Sequence, residues 1–248
     1  GIMGKRPDHA TVVYSKLAKK IWPDLPVIIG GIEASLRRFA HYDYWENKLL
    51  PSILIESGAD LLIYGMGEKQ VVEIADYLAG GADISTIQYV RGTSYVCDVL
   101  QNVTEQYVSL PSYESILQDK KLLANAYKLQ SDEQDPFYGK IVIQQFATRY
   151  VVQNQATYPL TGEEMDAIYD LPYCRTYHPS YEQLGGVSAI EEVKFSIISQ
   201  RGCFGSCSFC AIHSHQGRII QARSHESILR EAKLISELPD FKGYIHDV

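Results

Sequence analysis

Three cysteines, Cys203, Cys207 and Cys210, sit within eight residues, three residues separating the first two and two separating the last pair. Thiolates are soft ligands suited to iron and zinc. Gly202, Gly205 and the small serines nearby let the backbone fold closely around an inorganic core. Three thiolates can hold three irons of a cubane iron–sulfur cluster and leave the fourth iron open to a substrate. Phe209, just before the last cysteine, places an aromatic ring beside that site. The competing reading is zinc, with His213 or His215 completing a Cys₃His tetrahedron. Zinc sites usually pair cysteines in two knuckles, whereas one short cluster occurs here. The chain has five cysteines, an odd number, which speaks against a disulfide framework and for metal in a reducing compartment. Cys97 and Cys174 lack neighbouring ligands and are expected as small buried hydrophobes.

The elements that must position these residues follow from local pattern. Glu192 to Ser199 reads as a strand, with Val193, Phe195 and Ile197 on one face. A helix is predicted from about Ser224, its stripe formed by Ile228, Ala232, Ile235 and Leu238, with Ser224 as cap, Glu226 in the positive first turn and Pro239 ending it. Tyr244 to Val248 reads as a second strand. The cysteines then lie on a long loop from Gln200 to Arg223, after the C-terminal end of a strand. Loops beyond about 12–15 residues in compact domains are usually functional. His213, His215 and Arg218 on this loop have two readings, contact with the cluster or its ligand and plain loop packing.

The N-terminal half reads as α/β. A helix is expected over Ala10 to Lys20. Val27-Ile28-Ile29 and Asp60 to Tyr64 are short apolar runs ending in glycines, which suits strands buried on both faces of a parallel sheet. Gln70 to Leu78 has helical spacing and stops at Gly80-Gly81. Strand, glycine turn and helix recur, a Rossmann-like or flavodoxin-like pattern. Gly65-Met66-Gly67 lacks a third glycine at the required place and forms no dinucleotide fingerprint. The stretch from Glu33 to Trp45 mixes Arg37, Arg38 and His41 with four aromatics. It reads either as a groove for a nucleotide or RNA, or as a packing loop held by ion pairs. Residues 81–140 read as an irregular insert, with a hairpin around Gly92 and a helix capped by Ser112. Residues 140–186 read as a docked, extended linker, because aromatics interleave with prolines.

The formal net charge is −7 (23 Lys and Arg against 30 Asp and Glu), so bulk charge does not steer the chain to nucleic acid. No apolar run is long enough for a membrane helix.

The segment Arg201-Gly202-Cys203-Phe204-Gly205-Ser206-Cys207-Ser208-Phe209-Cys210 resembles the radical S-adenosylmethionine (SAM) cluster motif, CxxxCxΦC. Together with Gly30 to Arg38, His41 to Trp45, Tyr64 to Glu68, Leu171-Pro172-Tyr173, His215 to Arg218 and Phe241 to Ile245, it is similar to the YgiQ-like radical SAM proteins. The resemblance implies an α/β fold: a Rossmann-like parallel-sheet region, similar to cobalamin-binding domains, followed by the first βαβ part of a radical SAM partial TIM barrel. The expected organisation is 1–85 Rossmann-like region, 86–140 insert, 141–186 linker and 187–248 barrel start. By analogy Cys203, Cys207 and Cys210 ligate a [4Fe–4S] cluster, SAM binds its open iron, Phe209 lies near the adenine, and a 5′-deoxyadenosyl radical starts chemistry on a substrate. A flavodoxin or ferredoxin would donate the electron, in the cytoplasm. Corrinoid binding is not expected, since no Asp-x-His-x-x-Gly motif occurs. Gln155-Ala156 replace prolines common in the family. The chain is expected to be a fragment that does not turn over by itself. The alternative is a zinc-stabilised binding module, possibly for RNA, using the stretch around Arg37.

Overall fold

The computed structural model describes residues 6–205 and 207–248. Their internal contacts divide the chain into two compact units, one of residues 7–158 with 205–218, the other of residues 159–204 with 219–248.

In chain order the larger unit contains α1 (Ala10–Ile21), β1 (Ile28–Ile29), α2 (Gly31–Leu36), β2 (His41–Asp43), β3 (Lys48–Leu50), α3 (Ile53–Ser57), β4 (Leu61–Ile63) and α4 (Glu68–Ala79). There follow β5 (Thr93–Cys97), β6 (Tyr107–Ser109), α5 (Tyr113–Gln118), α6 (Lys120–Asp132), β7 (Ile141–Phe146) and β8 (Arg149–Gln153). The smaller unit contributes α7 (Gly162–Tyr169), α8 (Ile190–Val193) and β9 (Gln200–Arg201). The chain then returns to the larger unit for α9 (Ile212–Gln216) and ends in the smaller one with β10 (Gln221–Ala222) and α10 (His225–Ser236).

The larger unit is built on a six-stranded sheet in the order β1-β4-β5-β8-β7-β6. Its apolar strands alternate between two cores. Leu62, Val142 and Val151 face one side, with Ala34, Ile53, Leu54, Ile116 and Ala126 from the helices. Leu61, Ile63, Ile141, Ile143 and Val152 face the other, with Ile74 of α4. Side chains alternate across a strand, so runs apolar at every position can be buried only where both faces are covered. The α/β class, α1, α4 and the strands β1 and β4 agree with the sequence reading.

The wholly parallel sheet does not. β1 with β4 and β6 with β7 are parallel, while β4 with β5, β5 with β8 and β7 with β8 are antiparallel. Residues expected as an irregular insert supply β5 at the middle of this sheet, together with β6, α5 and α6. No hairpin forms around Gly92; β5 pairs instead with β4 and β8. The helix expected after Ser112 is two helices: the Ser112 side chain accepts from Ser115 N, and Asp119 interrupts and caps α6 through Lys121 N. The segment read as a linker begins with the β7–β8 hairpin, where Phe146 pairs with Arg149 across a two-residue turn. Ile28 is partly exposed because β1 is an edge strand.

In the smaller unit, Glu192 to Ser199 is not a strand. Its start belongs to α8, and Val193 is exposed, although Phe195 and Ile197 are buried against Ile235 of α10. Tyr244 to Val248 forms no regular strand either. Two backbone hydrogen bonds, His246 N to Phe195 O and Ile197 N to Asp247 O, join these segments without a ladder.

Candidate metal centre and the adjoining cleft

The segment from Gln200 to Arg223 is less of a loop than its sequence predicts. β9 and β10 close its base as an antiparallel pair, Gln221 opposite Arg201 and Ala222 opposite Gln200. Two buried arginines fix this base. The Arg201 guanidinium lies 5.2 Å from the Tyr169 ring centroid and Arg223 lies 4.3 Å from it, and Arg201 Nε donates to Tyr169 Oη at 3.1 Å. Arg223 also pairs with Glu231, which takes a second cation, Arg175, at 2.6 Å. Ser224 caps α10 as its sequence predicts, accepting from Ser227 N at 3.1 Å. Its own amide donates to Asp166 Oδ1, and hydrogen bonds from Ser224, with Arg223 nearby, hold the Asp166 carboxyl below its ordinary pKa.

Just past β9 the backbone turns at Gly202, φ +86°, a conformation glycine adopts without strain. Cys203 is half-buried and falls in the smaller unit; Cys207, exposed, and Cys210, half-buried, fall in the larger. Cys210 N donates to Cys207 O at 3.1 Å, so one tight turn carries these two thiols. All five cysteines are free thiols. Among the described residues no group of three or more His, Cys, Asp or Glu is gathered to hold a metal ion. The donor set nevertheless has the chemistry of a thiolate centre: three reduced, reachable sulfurs on short irregular backbone. Phe209 is 90% exposed and Phe204 82%, so both rings are largely open to solvent. Cys97 is half-buried and Cys174 exposed, which corrects the expectation that both are buried. Burial pushes the Cys97 thiol up.

Two residues beyond Cys210, α9 docks the segment onto the larger unit. The carbonyl of His215 approaches the end of β4 so closely that a Cβ on Gly65 would stand 3.2 Å from it, and Gly65 has φ +75°. At Gly67 a Cβ would meet Ile63 Cγ2 at 2.6 Å. These glycines therefore serve the turn and the docking of α9. Arg218 Nη2 donates to Ser131 Oγ at 2.9 Å and His213 is buried, placements that serve packing. His215 Nδ1 is buried without a partner among the described residues, and burial, with Arg38 nearby, lowers its pKa.

The arginine–aromatic stretch divides. Arg37 enters an ion-pair cluster, 3.0 Å from Asp43 Oδ2 and 2.8 Å from His9 Nδ1. The Glu46 amide, with Arg37 and His9, holds the Asp43 carboxyl below its ordinary range. Tyr44 and Trp45 remain exposed. Arg38 points inward and is 1% exposed. Its Nε donates to Gln153 Oε1 at 2.6 Å, its Nη1 donates to Ser35 O, and its guanidinium lies 4.7 Å from the Tyr64 ring centroid. Burial lowers its pKa to about 10, so it is a cation at neutral pH. Tyr64 Oη donates to Asn154 O, and burial raises its pKa. Sequence reasoning missed this network. Its signal was present in Gln144, Gln153 and Asn154, polar residues within or just after otherwise apolar strands.

Arg38 lines a cleft of about 520 Å³ in the larger unit, one wall of which is Ser208, Phe209 and Cys210. The cysteine turn and the inner arginine thus share one cavity.

A family profile described as "Radical SAM N-terminal" matches residues 1–196. The chain belongs to that family. The match ends before the cysteine segment. Along its whole length the chain is similar to UPF0313 proteins. It is 55% identical over 248 residues to one from Clostridium perfringens (strain 13 / Type A) and 56% identical to one from Clostridium botulinum (strain Kyoto / Type A2), covering all of this chain and 38% of each relative. The chain therefore spans well under half the length of these relatives.

Proposed function

We propose that Cys203, Cys207 and Cys210 hold a [4Fe–4S] cluster in the whole protein, which acts as a radical SAM enzyme. Bound there, the cluster and SAM supply reductive cleavage of SAM and the start of radical chemistry on a substrate. The observation that supports this reading is the set of three reduced thiols at CxxxCxxC spacing in a chain of the radical SAM N-terminal family. Arg201 and Arg223, stacked on Tyr169, hold the base of the ligand segment, and α9 fixes the approach to Cys210. Ligand binding and ordering of such a segment are coupled, so the thiols need not be gathered beforehand. The exposed Phe209 ring offers an apolar face to the adenine of SAM. In this reading the larger unit is a Rossmann-like domain without a corrinoid, the smaller begins the partial barrel, and a flavodoxin or ferredoxin supplies electrons in the cytoplasm. No helix among the described residues is long and apolar enough to cross a membrane.

The test is metal and sulfide analysis, with a visible spectrum, after anaerobic reconstitution of the full-length protein and of a variant with all three cysteines changed to alanine. About four iron and four sulfide per chain, lost in the variant, is the expected result. Zinc without sulfide overturns the reading and leaves a structural metal module.

A further inference from the structure

Unmet hydrogen-bonding capacity is concentrated among the residues that line the cleft beside Cys210. Among the described residues, three buried side-chain atoms without partners belong to residues lining it: Arg38 Nη2, His41 Nε2 and Gln134 Oε1. A buried polar atom left unpaired costs about 1–3 kcal/mol, so three in one cavity call for a partner. Their chemistry is complementary. Arg38 Nη2 is a cationic donor. His41 Nδ1 lies 3.1 Å from Phe39 O, which can only accept, so Nδ1 carries the proton and Nε2 presents a lone pair. Gln134 Oε1 is a second acceptor. The chain carries net charge −7, yet among the described residues no Asp or Glu lines the cleft, whereas Lys120 adds a second cation. Leu36, Phe39, Leu123 and Phe209 give it apolar walls. Small-molecule sites have this make-up, a mostly apolar cavity with a few convergent polar groups.

We infer that this cleft binds a small organic anion, its carboxylate or phosphate seated on Arg38 Nη2 and a hydroxyl or amine donating to His41 Nε2 and Gln134 Oε1. That the occupant is the substrate of the radical reaction rests on the reading above; that the cleft binds it does not.

The experiment uses metal-free protein and saturation-transfer NMR with three probes that share a ring and a hydroxyl: 4-hydroxybenzoate, 4-hydroxyphenyl phosphate and the neutral 4-hydroxybenzyl alcohol. At least one anion should bind and the alcohol should bind at least tenfold more weakly; which anion binds identifies the head group. Gln134→Leu and His41→Phe each remove an acceptor left unused among the described residues. Each should weaken anion binding at least fivefold while the melting temperature holds or rises. Equal binding of all three probes, no binding of any, or variants that lower the melting temperature and leave binding intact would overturn the inference. Because no metal is present, a negative result here says nothing against the cluster, and failure to form a cluster says nothing against the cleft.

Discussion

Both units bury arginines, and Arg223 and Arg38 are treated differently. Arg223 of the smaller unit has its donors paired: it meets the Glu231 carboxylate, which it shares with Arg175, Ser227 and the Ile198 carbonyl accept its remaining protons, and Tyr169 lies under its plane. Arg38 of the larger unit is equally buried but meets only neutral groups, an amide oxygen, a carbonyl and a tyrosine ring, and keeps one nitrogen unpaired among the described residues. A charge removed from water is stable only where pairing and hydrogen bonds compensate for its lost hydration. The first arginine is therefore a finished structural joint. The second carries an uncompensated cost, which folded proteins tend to concentrate where something binds.

The comparison can be broken most forcefully at Glu231. Changing Glu231→Gln leaves buried Arg223 and half-buried Arg175 without their carboxylate, and should cost about 3–5 kcal/mol in urea denaturation. A smaller loss would mean that the joint is less finished than its contacts imply. Arg38→Met should cost less, about 1–3 kcal/mol, because only neutral acceptors, Gln153 Oε1 and Ser35 O, lose their donor. If Arg38→Met proved the costlier of the two, the contrast would be reversed.

A third measurement sharpens the account of the cleft. Burial, opposed by the Phe39 carbonyl and the Asp43 charge and assisted by Arg37 and His9, lowers the His41 pKa to about 4. The unfolded chain therefore takes up this proton at higher pH than the folded one. The stability due to neutral His41 is complete above about pH 6.5 and is lost as pH falls toward 4, an effect of about 1–3 kcal/mol. Denaturation of wild type and His41→Phe across that range should show a steeper acid decline in the wild type; parallel curves would remove His41 from the explanation.

Much of the local structure was legible. α1, α4 and α10 announce themselves through 3.6-residue periodicity, Ser112 and Ser224 through capping chemistry, and β1 and β4 through short apolar runs closed by glycines. The misreadings share one cause. Val193, Phe195 and Ile197 alternate like a strand, but Phe195 and Ile197 are apolar because they pack on α10 and Phe241, not because a ladder holds them. β5 reads in sequence as one arm of a hairpin around Gly92 because its actual partners, β4 and β8, lie far off in sequence, and pairing of that kind leaves little trace in local pattern.

The cysteine spacing, the serine caps and the helical stripes were determined by the sequence alone, since each depends on neighbours within a few residues. The fate of the two adjacent arginines was not. Arg37 enters an ion-pair cluster and Arg38 a buried cleft because one position changes which way a side chain points. Only the packing of α2 against the end of β4, with Gln153 arriving from β8, decides which of them leaves the solvent.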